Sequence, residues 1–89
     1  MSDARLPVPN PQVLFTEVDD GSGVLLHLDT KFYYTLNPTA VVVWKALAGA
    51  PDLAAVAARL AAEFRVDAAD AERDVATILE DLRADGLVI

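Results

Sequence analysis

Apolar and polar positions along this chain change their period once. Between Val13 and Leu36 they fall into three short runs, Val13 to Val18, Val24 to Leu28 and Lys31 to Leu36, with the near-alternation and strand-forming residues of β-strands. Asp19, Asp20, Gly21, Ser22 and Gly23 separate the first two runs with turn formers of hairpin length, and Asp29 and Thr30 separate the second from the third. From Asn37 onward the spacing becomes helical. Asn37 is a good N-cap and Pro38 takes the first helical position, where a missing N–H costs nothing. Ala40, Val43, Trp44 and Leu47 recur at i, i+3, i+4 and i+7. The β-branched run Val41, Val42, Val43 opposes a helix, but cap, spacing and the Gly49 stop agree on one.

A second helix is predicted from about Asp52, with Leu53, Val56, Ala57, Leu60, Ala61 and Phe64 on its apolar face. A third begins between Asp67 and Asp70 and buries Val75, Ile78, Leu79 and Leu82. It ends at Gly86, so that Leu87, Val88 and Ile89 fold back on the core. The order is that of an α+β domain, a three-stranded antiparallel β-meander followed by three helices, and the helix lengths suit a winged helix-turn-helix. Residues 1–11, with Pro7, Pro9 and Pro11, read as an extended N-terminal arm, and residues 12–89 as a single domain.

Composition narrows the chemistry. With 54% hydrophobic residues in a chain of 89, there is enough to fill one core. No cysteine is present, which removes disulfides, thiolate metal sites and a Cys nucleophile together. No apolar run reaches the roughly 20 residues that span a bilayer, and Met1 to Pro11 lacks a secretory signal, so a cytoplasmic protein is expected. His27 is the single histidine, in mid-strand with no nucleophile motif around it, and reads as structural. Gly21-Ser22-Gly23 opens no helix and is not a phosphate loop. Nothing here equips an enzyme, and neither a cofactor nor a metal is expected. A helix-turn-helix raises the question of DNA, and charge answers it. The net charge is −7, and Asp67 to Asp85 carries seven acidic residues against the two basic ones Arg73 and Arg83. Such a helix is repelled by phosphates, so neither nucleic acid nor an anionic membrane is an expected partner.

The third strand holds the best clue. In a meander, strands one and three are the edges, and edges normally carry prolines, charges or bulges against unwanted pairing. Strand one is flanked by Pro7, Pro9 and Pro11 and by Glu17, Asp19 and Asp20, whereas Lys31, Phe32, Tyr33, Tyr34 and Thr35 offer one charge and no proline. That open edge can receive an extended peptide as an added strand. Backbone bonds contribute only about 1 kcal/mol each, and micromolar binding requires about 8 kcal/mol, so apolar anchors must add about 1.5–3 kcal/mol apiece. The third helix, with Val75, Ile78, Leu79 and Leu82, is the expected wall for those anchors. Glu72 and Asp74 are expected to flank the groove and to favour a peptide carrying Lys or Arg. The competing uses of these features are edge-to-edge homodimerisation and, with less support, a winged-helix DNA regulator.

Taken in order, these features resemble a known family. A buried strand Val24 to Leu28 precedes Tyr33-Tyr34-Thr35-Leu36-Asn37 and a helix containing Trp44; Phe64-Arg65-Val66, then Asp74-Val75, Leu79, Leu82 and Gly86-Leu87-Val88 follow. The pattern is similar to the PqqD-like fold, the precursor-peptide recognition element of ribosomally made, modified peptides, over about residues 12–89. Where the family often has a dGx linker between its first two helices, this chain has Gly49-Ala50-Pro51-Asp52, a turn remote from the groove. The resemblance implies that a leader peptide docks as a further antiparallel strand between strand three and the third helix. It also implies strand pairing by Lys31 to Thr35 and a groove wall of Val75, Ile78, Leu79 and Leu82. Within the family, a free-standing acidic protein of this size most resembles the leader-binding proteins of lasso-peptide pathways. The partners then implied are a precursor leader, a cysteine-protease-like leader peptidase and a cyclase, with a monomer when peptide-bound. The alternative branch is a PqqD-type peptide chaperone for a radical-SAM enzyme.

Overall fold

A computed structural model describes residues 7–18, 20–50 and 52–89. Within them the chain forms β1 (Val13–Glu17), β2 (Gly23–His27), β3 (Tyr33–Leu36), α1 (Pro38–Ala46), α2 (Leu53–Phe64) and α3 (Ala68–Ala84). The sheet is an antiparallel meander of order β1-β2-β3, so the expected α+β, winged helix-turn-helix class holds. Asp19, read as a turn former, and Pro51, in the α1–α2 linker, lie outside the described residues.

Burial in the sheet follows the two-residue period. Gly23, Leu25 and His27 of β2 are buried against the helices, and Val24 and Leu26 are half-covered on the other face. Leu36 and Tyr34 turn towards the helices from β3, while Tyr33 and Thr35 are exposed. Register is fixed by the pairs Leu14 with Leu26 and Leu26 with Tyr33. Gly23 is required by close packing rather than by its backbone angles. A Cβ there would stand 2.6 Å from Phe15 Cε1 and 3.1 Å from Val41 Cγ2, closer than a packed core tolerates.

The α1 N-terminus forms as its sequence predicts: Asn37 Oδ1 accepts the Ala40 N–H at 2.8 Å, with Pro38 at N1. Tertiary burial explains why three consecutive valines tolerate a helix. Val41 and Val43 are both buried, one beneath the sheet and the other against α2 and α3. Two apolar clusters result. One joins Leu25, Leu36, Val41 and Trp44 to Leu82, Leu87 and Val88. The other joins Val43 to Val56, Leu60, Ala71 and Val75. Phe15 closes the first cluster with its ring centroid 6.5 Å from that of Trp44.

Gly86 ends α3 with φ +71, a left-handed conformation that suits glycine, and the Leu87 N–H returns to the Leu82 carbonyl at 2.9 Å. Leu87 and Val88 are buried and Ile89 is exposed. The arm over residues 1–11 is expected to be extended; residues 1–6 lie outside the described residues, and the rest is stitched to this tail. Val8 and Ile89 exchange backbone hydrogen bonds of 2.8 and 2.7 Å, and the Asn10 N–H donates to the Leu87 carbonyl at 3.0 Å. The Asn10 side-chain amide also donates to the Gly86 carbonyl at 2.9 Å.

Candidate functional site

The β2–β3 hairpin determines which backbone groups face outward. His27 donates its N–H to the Phe32 carbonyl at 3.0 Å, which makes His27 and Phe32 a hydrogen-bonded pair. In an antiparallel ladder such pairs alternate. Leu25–Tyr34 and Gly23–Leu36 are therefore the next bonded pairs, and Tyr33 and Thr35 aim their N–H and C=O groups away from β2. Among the described residues no other segment pairs with these outward groups.

The edge is shorter than the sequence suggested. Lys31, read as its first strand residue, has φ +66 and donates its N–H to the His27 carbonyl at 2.7 Å. It belongs to the turn. Phe32 follows with its carbonyl spent on β2 and its ring exposed. Strand pairing expected along Lys31 to Thr35 thus contracts to the outward groups of Tyr33 and Thr35. A left-handed position normally calls for Gly or Asn, so a lysine there left no sign of the turn's true end.

Beside the edge runs a groove of about 580 Å³ between β3 and α3. Tyr33, Tyr34 and Thr35 form one side, and Ile78, Leu82 and Leu87 give the apolar part of the other. Leu36, Asn37 and Ala40 contribute where β3 passes into α1, and Asp81, Ala84 and Asp85 complete the wall.

Two residues of the expected wall, and one of the acids expected to flank it, lie elsewhere. Val75 is fully buried in the cluster between the helices, Leu79 packs between the two clusters, and Glu72 is exposed near the start of α3. The helix period accounts for this. At about 100° per residue, Asp81 and Asp85 fall on the flank of Ile78, whereas Glu72 and Leu79 fall on the opposite side of Val75 and Leu82. Asp74, the other acid expected at the groove, shares the flank of Asp81 and Asp85 but stands about two turns nearer the N-terminus of α3, and it is not among the lining residues. Leu87, Asp81 and Asp85 were missed. Continuing the i, i+3, i+4, i+7 series from Ile78 reaches Asp81, Leu82 and Asp85, so the signal for two of them was present.

A second hollow of about 280 Å³ lies between α1, α2 and the β1–β2 turn. Its rim holds the Lys45–Glu17 ion pair at 2.8 Å, and it lies at the end of the other edge strand, β1, away from β3 and α3. Among the described residues no group of His, Asp or Glu side chains is arranged to hold a metal ion, and no helix is long and apolar enough to cross a membrane.

A free strand edge beside a partly apolar groove, on a three-stranded sheet carried by three helices, defines an α+β fold of the winged helix-turn-helix class. The model of the family described as coenzyme PQQ synthesis protein D (PqqD) matches residues 22–88, and the chain belongs to that family. Two solved structures share the fold closely. One, described as TbiB1 in complex with the TbiA(beta) leader peptide, superimposes with a TM-score of 0.82 at 27% identity, covering 91% of this chain and 93% of that one. The other, lasso peptide synthetase B1 complexed with the leader peptide, gives a TM-score of 0.80 at 32% identity, covering 91% and 94%. No curated protein matches the sequence significantly.

Proposed function

We propose that this protein binds the leader segment of a ribosomally made precursor peptide in a lasso-peptide pathway, by strand addition to β3 and without catalysis of its own. The observation that carries the reading is the outward-facing backbone of Tyr33 and Thr35 beside the groove of Ile78, Leu82 and Leu87. Two outward residues supply at most four backbone bonds, together about 4 kcal/mol. Micromolar affinity requires about 8 kcal/mol, and ordering a flexible leader opposes it. With roughly 2–5 kcal/mol spent on ordering, at least two and more comfortably three apolar anchors of about 1.5–3 kcal/mol each are needed to close that gap. Two similar structures, both described as complexes with a leader peptide, support the same use of this fold.

In this reading the leader lies antiparallel to β3, with side chains opposite Tyr34 and its i±2 neighbours entering the groove. The protein acts in the cytoplasm as a monomer when loaded. It delivers the leader to a separate leader peptidase and a cyclase, raising the local concentration of their substrate. The PqqD-type role, chaperoning a peptide to a radical-SAM enzyme, uses the same edge and differs only in the partner.

The test is titration of a fluorescent leader, taken from a short precursor encoded beside this gene, against wild type and Thr35→Pro. The Thr35 N–H points away from β2, so proline removes a donor for the guest while sparing the internal ladder. Saturable micromolar binding lost in Thr35→Pro, with the thermal transition largely retained, is the expected outcome. Failure of wild type to bind at high micromolar leader, or a Thr35→Pro variant that binds normally, overturns the proposal.

A further inference from the structure

The charge of the groove goes beyond its shape, and its interpretation rests on the leader-binding reading above. Asp81 and Asp85 line the wall one helical turn apart, and no cationic side chain lines the groove with them. Among the described residues neither takes part in an ion pair; those present join Lys45 to Glu17 and Arg73 to Asp70. Their position on α3 is unfavourable to the protein itself. The C-terminal end of a helix carries partial negative charge and favours cations. Asp81 nevertheless stands in the last turn of α3 and Asp85 is its C-cap, with Arg83 the lone base in that turn. Like charges at i and i+4 add repulsion. Local stability therefore gives no reason for the pair, and a site where a local rule is broken is where a ligand is to be sought.

We infer that Asp81 and Asp85 select leaders whose groove-bound segment carries Lys or Arg on the same face as its apolar anchors. The stem of such a side chain lies along Ile78 and Leu82 while its charged head reaches the rim. There it meets two carboxylates and the negative end of α3 together. Spacing fits a second basic residue as well. Side chains at i and i+4 of a helix stand about 5–6 Å apart, and same-face residues of an extended strand about 6.7 Å apart. A leader with bases two residues apart can thus engage both aspartates at once.

The test uses a displayed library of random 12-residue peptides selected on wild type and on the Asp81→Asn/Asp85→Asn double variant. Wild type is expected to enrich Lys or Arg at a fixed distance from apolar anchors, and the variant to retain the anchors and lose the bases. A wild-type-selected peptide should bind the variant about three- to tenfold more weakly and with less sensitivity to salt. The thermal midpoint of the variant should be unchanged or higher, because the lost charges opposed the helix. Anchors enriched with no basic preference, or a basic preference that persists in the variant, overturn this inference and leave strand addition standing. A library that yields no binder, or binders indifferent to Thr35→Pro, overturns the leader-binding reading and this inference with it.

Discussion

Val75 and Ile78 stand three residues apart on α3, yet Val75 is sealed in the core and Ile78 is half-exposed on the groove. The difference separates two kinds of mutation. Val75→Ala leaves a void among Val43, Val56 and Ala71 and is expected to lower stability by roughly 2 kcal/mol. Leader affinity of the folded fraction should change little. Ile78→Ala removes an anchor contact and is expected to weaken leader binding about tenfold, equivalent to about 1.4 kcal/mol, with a smaller loss of stability. Chemical denaturation and titration, run on both variants, measure the two effects side by side. The sequence alone could not divide these residues. Both belong to one apolar stripe, and only the placement of the sheet relative to α3 decides which edge of that stripe is left uncovered.

Among the secondary-structure elements, legibility depended on whether the local chemistry was sufficient. α1 was readable because Asn37 and Pro38 specify its start independently of anything distant. β3 was read too long because the left-handed Lys31 is held by the hairpin as a whole, through its bond to His27. The β1–β2 turn is the opposite case. Asp20 accepts hydrogen bonds from both the hydroxyl and the N–H of Ser22, the latter at 2.9 Å. The Ser22 hydroxyl, then its N–H, hold the Asp20 carboxyl below its usual value of 3.8. A lowered carboxyl pKa stabilises the fold in its ionised form. The contribution is complete above pH 3.8 and disappears as pH falls through the depressed value. Ser22→Ala should therefore raise the Asp20 midpoint towards 3.8, which an NMR titration of its carboxyl carbon would record.

For the molecule as a whole, the contact least visible in the sequence joins its two ends. Three prolines announced an extended arm, but nothing announced its partner, because a pairing between Asn10 and Gly86 has no local signature. The Asn10 side chain bonds the Gly86 carbonyl and also accepts the Gln12 N–H at 2.9 Å. Asn10→Ala is expected to cost about 1–2 kcal/mol of stability. Since the lost side chain anchors Gly86, the residue just before Leu87 of the groove wall, the variant should also bind leader several times more weakly. Hydrogen exchange at the Leu87 amide should accelerate in step, which separates a loosened tail from a general loss of structure.

The stitch between Val8 and Ile89 also governs what can be attached to this protein. Both termini of the described chain emerge from one corner, beside the Leu87 end of the slot. A hydrolase or ring-forming module grafted onto either side, in either gene order, would hang from nearly the same point on a short leash. Joining Val8 to Ile89 through a short linker and reopening the chain at the exposed Ala48–Gly49 turn should, by the same geometry, yield a permuted protein that keeps the β3 edge and its groove.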